Sequence, residues 1–107
     1  MKLVEEFNPI RKWAESKGIY QSGDIKTQTL KLIEEAGELA RACLKDDKEE
    51  FIDAIGDCVI VLVSIAELGS THFNDSSITL EECTNTAYKV IVDRRGKMNN
   101  GTFVKNE

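Results

Sequence analysis

Two clusters of carboxylates carry the chemistry legible in this 107-residue chain. The first is Glu34, Glu35 and Glu38, and the second is Glu50, Asp53 and Asp57. Side chains three or four residues apart share one face of a helix. Glu34 and Glu35 each meet that spacing to Glu38, and the second set is spaced three and then four. Two helices laid side by side would therefore aim four or five carboxylates at one point. Like charges crowded in that way repel, and some must take up protons. A divalent cation removes the conflict, and an all-oxygen donor set suits Mg²⁺ or Mn²⁺. A single surface glutamate is ordinarily just solvated. Two acidic sets on consecutive helices, each bordering an apolar face, weigh a metal site evenly against plain solvation.

The elements that must position these groups read as four helices. The spacing predicts the first from Asn8 as N-cap, with Pro9 at the first helical position, to near Gly18. The second spans about Asp24 to Leu44. The third opens at Asp47, whose spacing to Glu50 resembles a capping box, and stops at Gly69. A polar loop over Ser70–Ser77 follows. The fourth opens at Thr79, with Glu82 three residues on, and ends near Arg95. The tail, with Asn99-Asn100-Gly101 before Thr102-Phe103-Val104, reads as a short strand or an ordered arm. The expected fold class is all-α: a bundle of about four helices with a short C-terminal arm, in a single domain over residues 1–107, completed by oligomerisation.

On the second helix Leu30, Ile33, Ala36, Gly37, Ala40 and Leu44 form a broad apolar arc. Gln28, Lys31, Glu34, Glu35 and Glu38 form its polar strip, with Glu35 near the boundary. The third helix is apolar nearly all round from Cys58 to Ala66, which predicts burial on most sides. Asp57 sits at the edge of that segment, where a carboxylate needs a partner.

Composition narrows the function. Hydrophobic residues make up 41% and charged residues 31%, as in ordinary globular proteins. The net charge of −5 argues against a nucleic-acid polymer as partner. Cys43, Cys58 and Cys83 show no CxxC spacing, so zinc and redox motifs are unsupported, and buried reduced thiols are expected. Met1 to Ile10 holds Glu5, Glu6 and Pro9 and no long apolar run, so no signal peptide is read. The longest apolar stretch is too short to span a bilayer. The expectation is a cytoplasmic protein with no membrane partner.

Cations gather on and after the fourth helix: Lys89, Arg94, Arg95, Lys97 and then Lys105. A helix C-terminus attracts cations through its dipole, but Arg and Lys also suit phosphate oxygens. Trp13, with Phe7 and Ile10, reads as core, with stacking on a nucleobase as the functional alternative. His72 lies in an expected loop with no Glu three residues before it, which leaves a di-iron carboxylate bundle without its Glu-x-x-His motifs. No Walker motif, nucleophile elbow or GxGxxG occurs.

Lys31-Leu32-Ile33-Glu34-Glu35-Ala36-Gly37-Glu38-Leu39-Ala40, followed by Asp53-Ala54-Ile55-Gly56-Asp57, resembles the MazG-like all-α nucleoside triphosphate pyrophosphohydrolases. Trp13-Ala14, Gln28 and Arg94-Arg95-Gly96-Lys97 extend the resemblance over most of the chain, and the short, single-domain, phage-type members are the most similar. The resemblance implies a helical protomer that assembles into dimers or dimers of dimers. It implies Mg²⁺, with Mn²⁺ as a substitute, and cleavage of a nucleoside triphosphate between the α and β phosphates. Glu35 and Glu38 match the family's ExxE, and Asp57 matches the Asp of its ExxD. The Glu of ExxD would fall at Ala54, and Asp53, or Glu50 one turn earlier, is the candidate replacement.

The resulting expectation is metal-assisted hydrolysis with water as nucleophile. Glu35, Glu38 and Asp57 are the catalytic candidates, and Glu35, Glu38, Asp53 and Asp57 the metal ligands. Lys31, Lys89, Arg94, Lys97 and Trp13 are the substrate-binding candidates. The competing reading is a non-catalytic helical interaction module with an acidic, cation-binding surface. A chain this short cannot easily surround an all-apolar helix by itself, so a homodimer or homotetramer is expected, with part of Val59–Val63 in or beside the interface.

Overall fold

The computed structural model describes residues 7–106, and the reading of Met1–Glu6 as free of a signal peptide lies outside them. Five helices and one hairpin follow in order: α1 Asn8–Ser16, α2 Ile19–Ser22, α3 Ile25–Leu44, α4 Lys48–His72, α5 Leu80–Ile91, β1 Gly96–Asn99 and β2 Thr102–Lys105. The all-α class holds. The short α2 is an addition to the expected set. It is set off from α1 by Gly18, whose φ of 77° is a left-handed conformation that glycine adopts without steric cost.

The helix starts are largely where the side chains place them. Asp24 caps α3 by accepting from the Thr27 amide at 3.1 Å, Asp47 caps α4 from Glu50 at 3.1 Å, and Thr79 caps α5 from Glu82 at 3.1 Å. Such caps each contribute about 1 kcal/mol. Asn8 is the exception. Phe7 is the N-cap of α1, and the side-chain Oδ1 of Asn8 accepts from the Arg11 guanidinium. Helix α4 also runs past its expected stop to His72. Gly69 is buried inside it, packed toward Ile25 and Ile78, so this glycine serves close approach and not termination. Helix α5 ends at Ile91, one turn before Arg95.

α3 and α4 are joined by the three residues Lys45–Asp47, with Asp46 at φ 55°, and form the longest packed pair. A connection that short makes the two helices antiparallel neighbours. The second half of α4 is the hub, with α1, α2 and α5 all packed on it. Val61, Val63, Ala66 and Leu68 are buried there, joined by Ala14, Ala42 and Ala54. Arg11 ties three helices together. Its Nε donates to Glu67 of α4 at 2.8 Å, and its two terminal nitrogens donate to both carboxylate oxygens of Glu81 at the start of α5.

Three expectations are corrected. Val63 is 0% exposed within its own protomer, so Val61 and Val63 are core and not interface. Trp13 is 49% exposed, because α1 turns Ala14 and not Trp13 into the core. The cysteines are free, but Cys43 and Cys83 are exposed and only Cys58 is half-buried.

The face that α3 buries is the reverse of what its composition suggests. Glu35 and Ala42 are buried against the bundle, while Leu30, Ile33 and Leu44 stand in solvent, Ile33 at 65% and Leu44 at 87% exposure. Ile52 and Ile55 on the first half of α4 are also exposed. The whole chain exposes 8183 Å², against roughly 6,000 Å² for a compact monomer of this mass. Its radius of gyration, 16.0 Å, likewise exceeds the roughly 13 Å of a compact chain this long.

Candidate metal centre

The packing of α3 on α4 brings Glu35, Glu38 and Asp57 together. One carboxylate oxygen from each lies within 4.8 Å of the others. Glu35 and Glu38 are one turn apart on α3, and Asp57 reaches them from α4, nearly three helical turns beyond its Asp47 cap. Glu35 is the innermost of the three, at 7% exposure. Its Oε1 meets the Lys31 ammonium at 3.5 Å, an i,i+4 pair, while its Oε2 is buried with no hydrogen-bond partner.

The electrostatics report crowding. The Glu38 carboxyl is held above its ordinary range, first by a hydrogen bond with Glu35 and then by that neighbour's charge. The Asp57 carboxyl is also pushed up, first by burial, then by the charges of Asp53 and Glu35, with Lys31 pulling the other way. Two carboxyls can share a hydrogen bond only if one keeps its proton. A hard dication among them would let all three ionise. Three converging carboxylates, one of them buried with an orphaned oxygen, fit such an ion by donor type.

The other candidate residues are placed as follows. Asp53 is exposed and stands beside Asp57, acting on it through charge and a side-chain hydrogen bond, outside the group whose oxygens converge. Ala54 is packed at 2% exposure in the core, so the position where the related pattern has Glu is here filled by a small buried side chain. Lys31 belongs to the centre. Lys89 lies on α5, which packs on α4 and not on α3. Lys97 lies on β1, and none of the described helices comes within 8 Å of the hairpin, Cα to Cα. Within one protomer these cations are not gathered at the carboxylates. Trp13, with Pro9, Ile10 and Ile60, lines an apolar cavity of about 270 Å³. Ile60 lies one turn beyond Asp57 on α4, an axial rise of about 4.5 Å. His72 ends α4 and stacks edge-on against Phe73 at 4.7 Å, away from the centre. The Arg11 cluster escaped sequence reasoning, because its partners lie 56 and 70 residues away and carry no local signature.

A helical pair presenting a carboxylate triad suits a hard cation by donor type. The family model for the MazG nucleotide pyrophosphohydrolase domain matches residues 24–98, and the chain belongs to that family. Nucleotide pyrophosphohydrolysis is the general activity that membership indicates, and divalent-cation dependence is typical of it. An uncharacterised 18.2 kDa protein from the rep-hol intergenic region of Haemophilus phage HP1 is 36% identical over 65 residues. That match takes in 61% of this chain and 40% of the relative. No solved structure matches the chain. Among the described residues, no helix is long and apolar enough to cross a membrane.

Proposed function

We propose that this chain hydrolyses nucleoside triphosphates between the α and β phosphates, releasing a nucleoside monophosphate and pyrophosphate. The observation that carries the reading is the convergence of Glu35, Glu38 and Asp57 on one point, with the buried Oε2 of Glu35 left unpartnered. Glu35, Glu38 and Asp57 would hold Mg²⁺, or Mn²⁺ in its place, with Asp53 beside them as a fourth ligand. When bound, the ion supplies charge neutralisation for phosphate oxygens and a more acidic water.

The protein groups divide the remaining work. Glu38, exposed enough to meet solvent, takes the proton of the attacking water. Glu35 is fixed by burial and by Lys31, so it orients its neighbours and does not move. Lys31 stands at the edge of the centre, where its ammonium can receive a phosphate oxygen. The Trp13 cavity is the seat proposed for the base. It is apolar and lies one turn along α4 from Asp57, so it offers stacking and few polar groups to read a base edge.

The working form we infer is a homodimer or a homotetramer. Its support is the outward arc of Leu30, Ile33 and Leu44 with Ile52 and Ile55, together with roughly 2,000 Å² of surface in excess of a compact monomer. No nucleic-acid polymer or membrane enters the reading, and the expected location is the cytoplasm. The test is a screen of nucleoside triphosphates with Mg²⁺ and with chelator, with products separated by anion exchange. Mg²⁺-dependent appearance of monophosphate and pyrophosphate supports the reading. Diphosphate and orthophosphate as products reject the α–β cleavage, and no turnover with any of the triphosphates leaves the non-catalytic module.

A further inference from the structure

The C-terminal hairpin is built with care and yet packs on nothing in its own described chain. β1 and β2 pair antiparallel from Gly96↔Lys105 to Asn99↔Thr102, closed by Asn100-Gly101. Those two residues have φ of 52° and 83°, the type I′ geometry that suits a two-residue hairpin. At the open end a Cβ on Gly96 would lie 2.1 Å from the Val104 carbonyl oxygen and 2.7 Å from the Phe103 ring, so only glycine fits there. Met98 and Phe103 are directly opposite and share one face, and both are exposed. A lone two-stranded hairpin is marginal in water and needs a surface to lie on.

Charge says what kind of surface. The segment 93–106 carries Arg94, Arg95, Lys97 and Lys105 against the single carboxylate of Asp93. The α3–α4 face carries Glu34, Glu35, Glu38, Glu50, Asp53 and Asp57. These complementary parts are not brought together within one protomer.

We propose that the hairpin is an exchanged arm: in the assembled protein it lies across the α3–α4 face of a second copy and delivers Arg94 and Lys97 to that copy's carboxylate centre. The inference rests on the proposed reaction only for what the cations do there, holding the outgoing pyrophosphate. The placement of the arm stands on geometry and charge.

Two experiments test it, and they fail separately. In the first, Val104, which pairs with Lys97 and shares its face of the hairpin, is replaced by a photoreactive phenylalanine analogue in an equal mixture of heavy-isotope-labelled and unlabelled chains. Crosslinked peptides from α3 or α4 should carry mixed isotopes. Crosslinks confined to a single chain, or none into α3 and α4, overturn the arm whatever the enzyme does. In the second, Glu38→Gln chains are mixed with Arg94→Ala/Lys97→Ala chains after reversible dissociation. Each parent should have lost at least about tenfold in turnover. Random pairing makes half the assemblies hybrids, each with one intact centre served by one intact arm, so activity should return to about a quarter of the unmodified level. Recovery no greater than the average of the parents overturns exchange. If the unmodified protein releases no pyrophosphate, the proposed reaction fails and the crosslinks still decide the arm.

Discussion

Asp57→Asn should make the metal-free protein more stable. The substitution keeps shape and removes one charge from a crowded centre. An oxygen of Asp57 lies within 4.8 Å of one on Glu35, which is buried. Coulomb's law at that separation gives about 0.9 kcal/mol in water and about 3.5 kcal/mol at an effective dielectric of 20. Asp57 is partly open to solvent, so a value of about 1–2 kcal/mol is expected, less a small loss from the Lys31 attraction. For a chain of this length that raises the chelator-treated melting temperature by about 4–9 °C. The pH dependence has a definite sign. The Asp57 pKa is raised in the folded state, so ionisation is what destabilises. The strain is absent below the ordinary value of 3.8 and grows as pH rises through the folded value. The advantage of the variant should therefore be full near neutrality and vanish on acidification. Saturating Mg²⁺ should stabilise the unmodified protein and leave the variant nearly unmoved. Melts followed by circular dichroism, with chelator and with Mg²⁺, measure all of this. A lower metal-free melting temperature, or equal protection by Mg²⁺ in both proteins, refutes the crowding argument.

Glu38→Gln should lower turnover at least about a hundredfold with the helical content intact, since a general base contributes 10²–10⁴; unchanged turnover at saturating Mg²⁺ removes Glu38 from the chemistry. Asp53→Ala should raise the Mg²⁺ concentration for half-maximal activity more than Glu50→Ala does, and the reverse order would make Glu50 the substitute ligand. Arg11→Met leaves Glu67 and Glu81 facing each other without their cation, and should cost about 2–4 kcal/mol in urea unfolding; a loss below about 0.5 kcal/mol would show the clasp to be decorative. Ile33→Glu should shift sedimentation equilibrium toward monomer with the fold kept, whereas Val63→Glu, inside the protomer, should unfold it. An Ile33→Glu protein that associates as before would rule out the α3 arc as the interface.

The sequence was most legible where the signal was local. Capping side chains located the starts of α3, α4 and α5 correctly, because a cap is a contact over three residues. The convergence of Glu35, Glu38 and Asp57 was also readable, since helical spacing and a short α3–α4 connection nearly enforce it. What local spacing could not give is which way a helix faces. Trp13 was read as core on hydrophobicity, yet Ala14 takes that place, because a close α1–α4 approach admits only a small side chain. Gly69 was read as a stop signal, but Ile25 and Ile78, far away in sequence, make it a packing position. Likewise the cations after α5 were expected near the carboxylates on charge alone, and the chain's own path keeps the hairpin away from every described helix.

The orientation of α3 ties these threads to the proposed reaction. A helix with both a glutamate strip and an isoleucine–leucine arc should turn the arc inward, since burying Glu35 without a full set of partners is costly. Here it does the opposite. The proposed ion and the proposed neighbouring copy would account for that choice together, and neither would do so alone. A cation without a partner copy would leave Leu30, Ile33 and Leu44 in water, at a cost of about 25 cal/mol for each Å² of apolar surface. A partner copy without a cation would leave the Oε2 of Glu35 unsatisfied beside two further carboxyls. The protomer's own core is small: among the described residues Val63 is the largest fully buried side chain, and four of the seven buried apolar residues are the single-methyl Ala14, Ala42, Ala54 and Ala66. A core of that kind has little stability to spare for an inverted helix. It follows that metal binding and assembly should stabilise the fold as well as complete the site, and that the two should reinforce each other through α3.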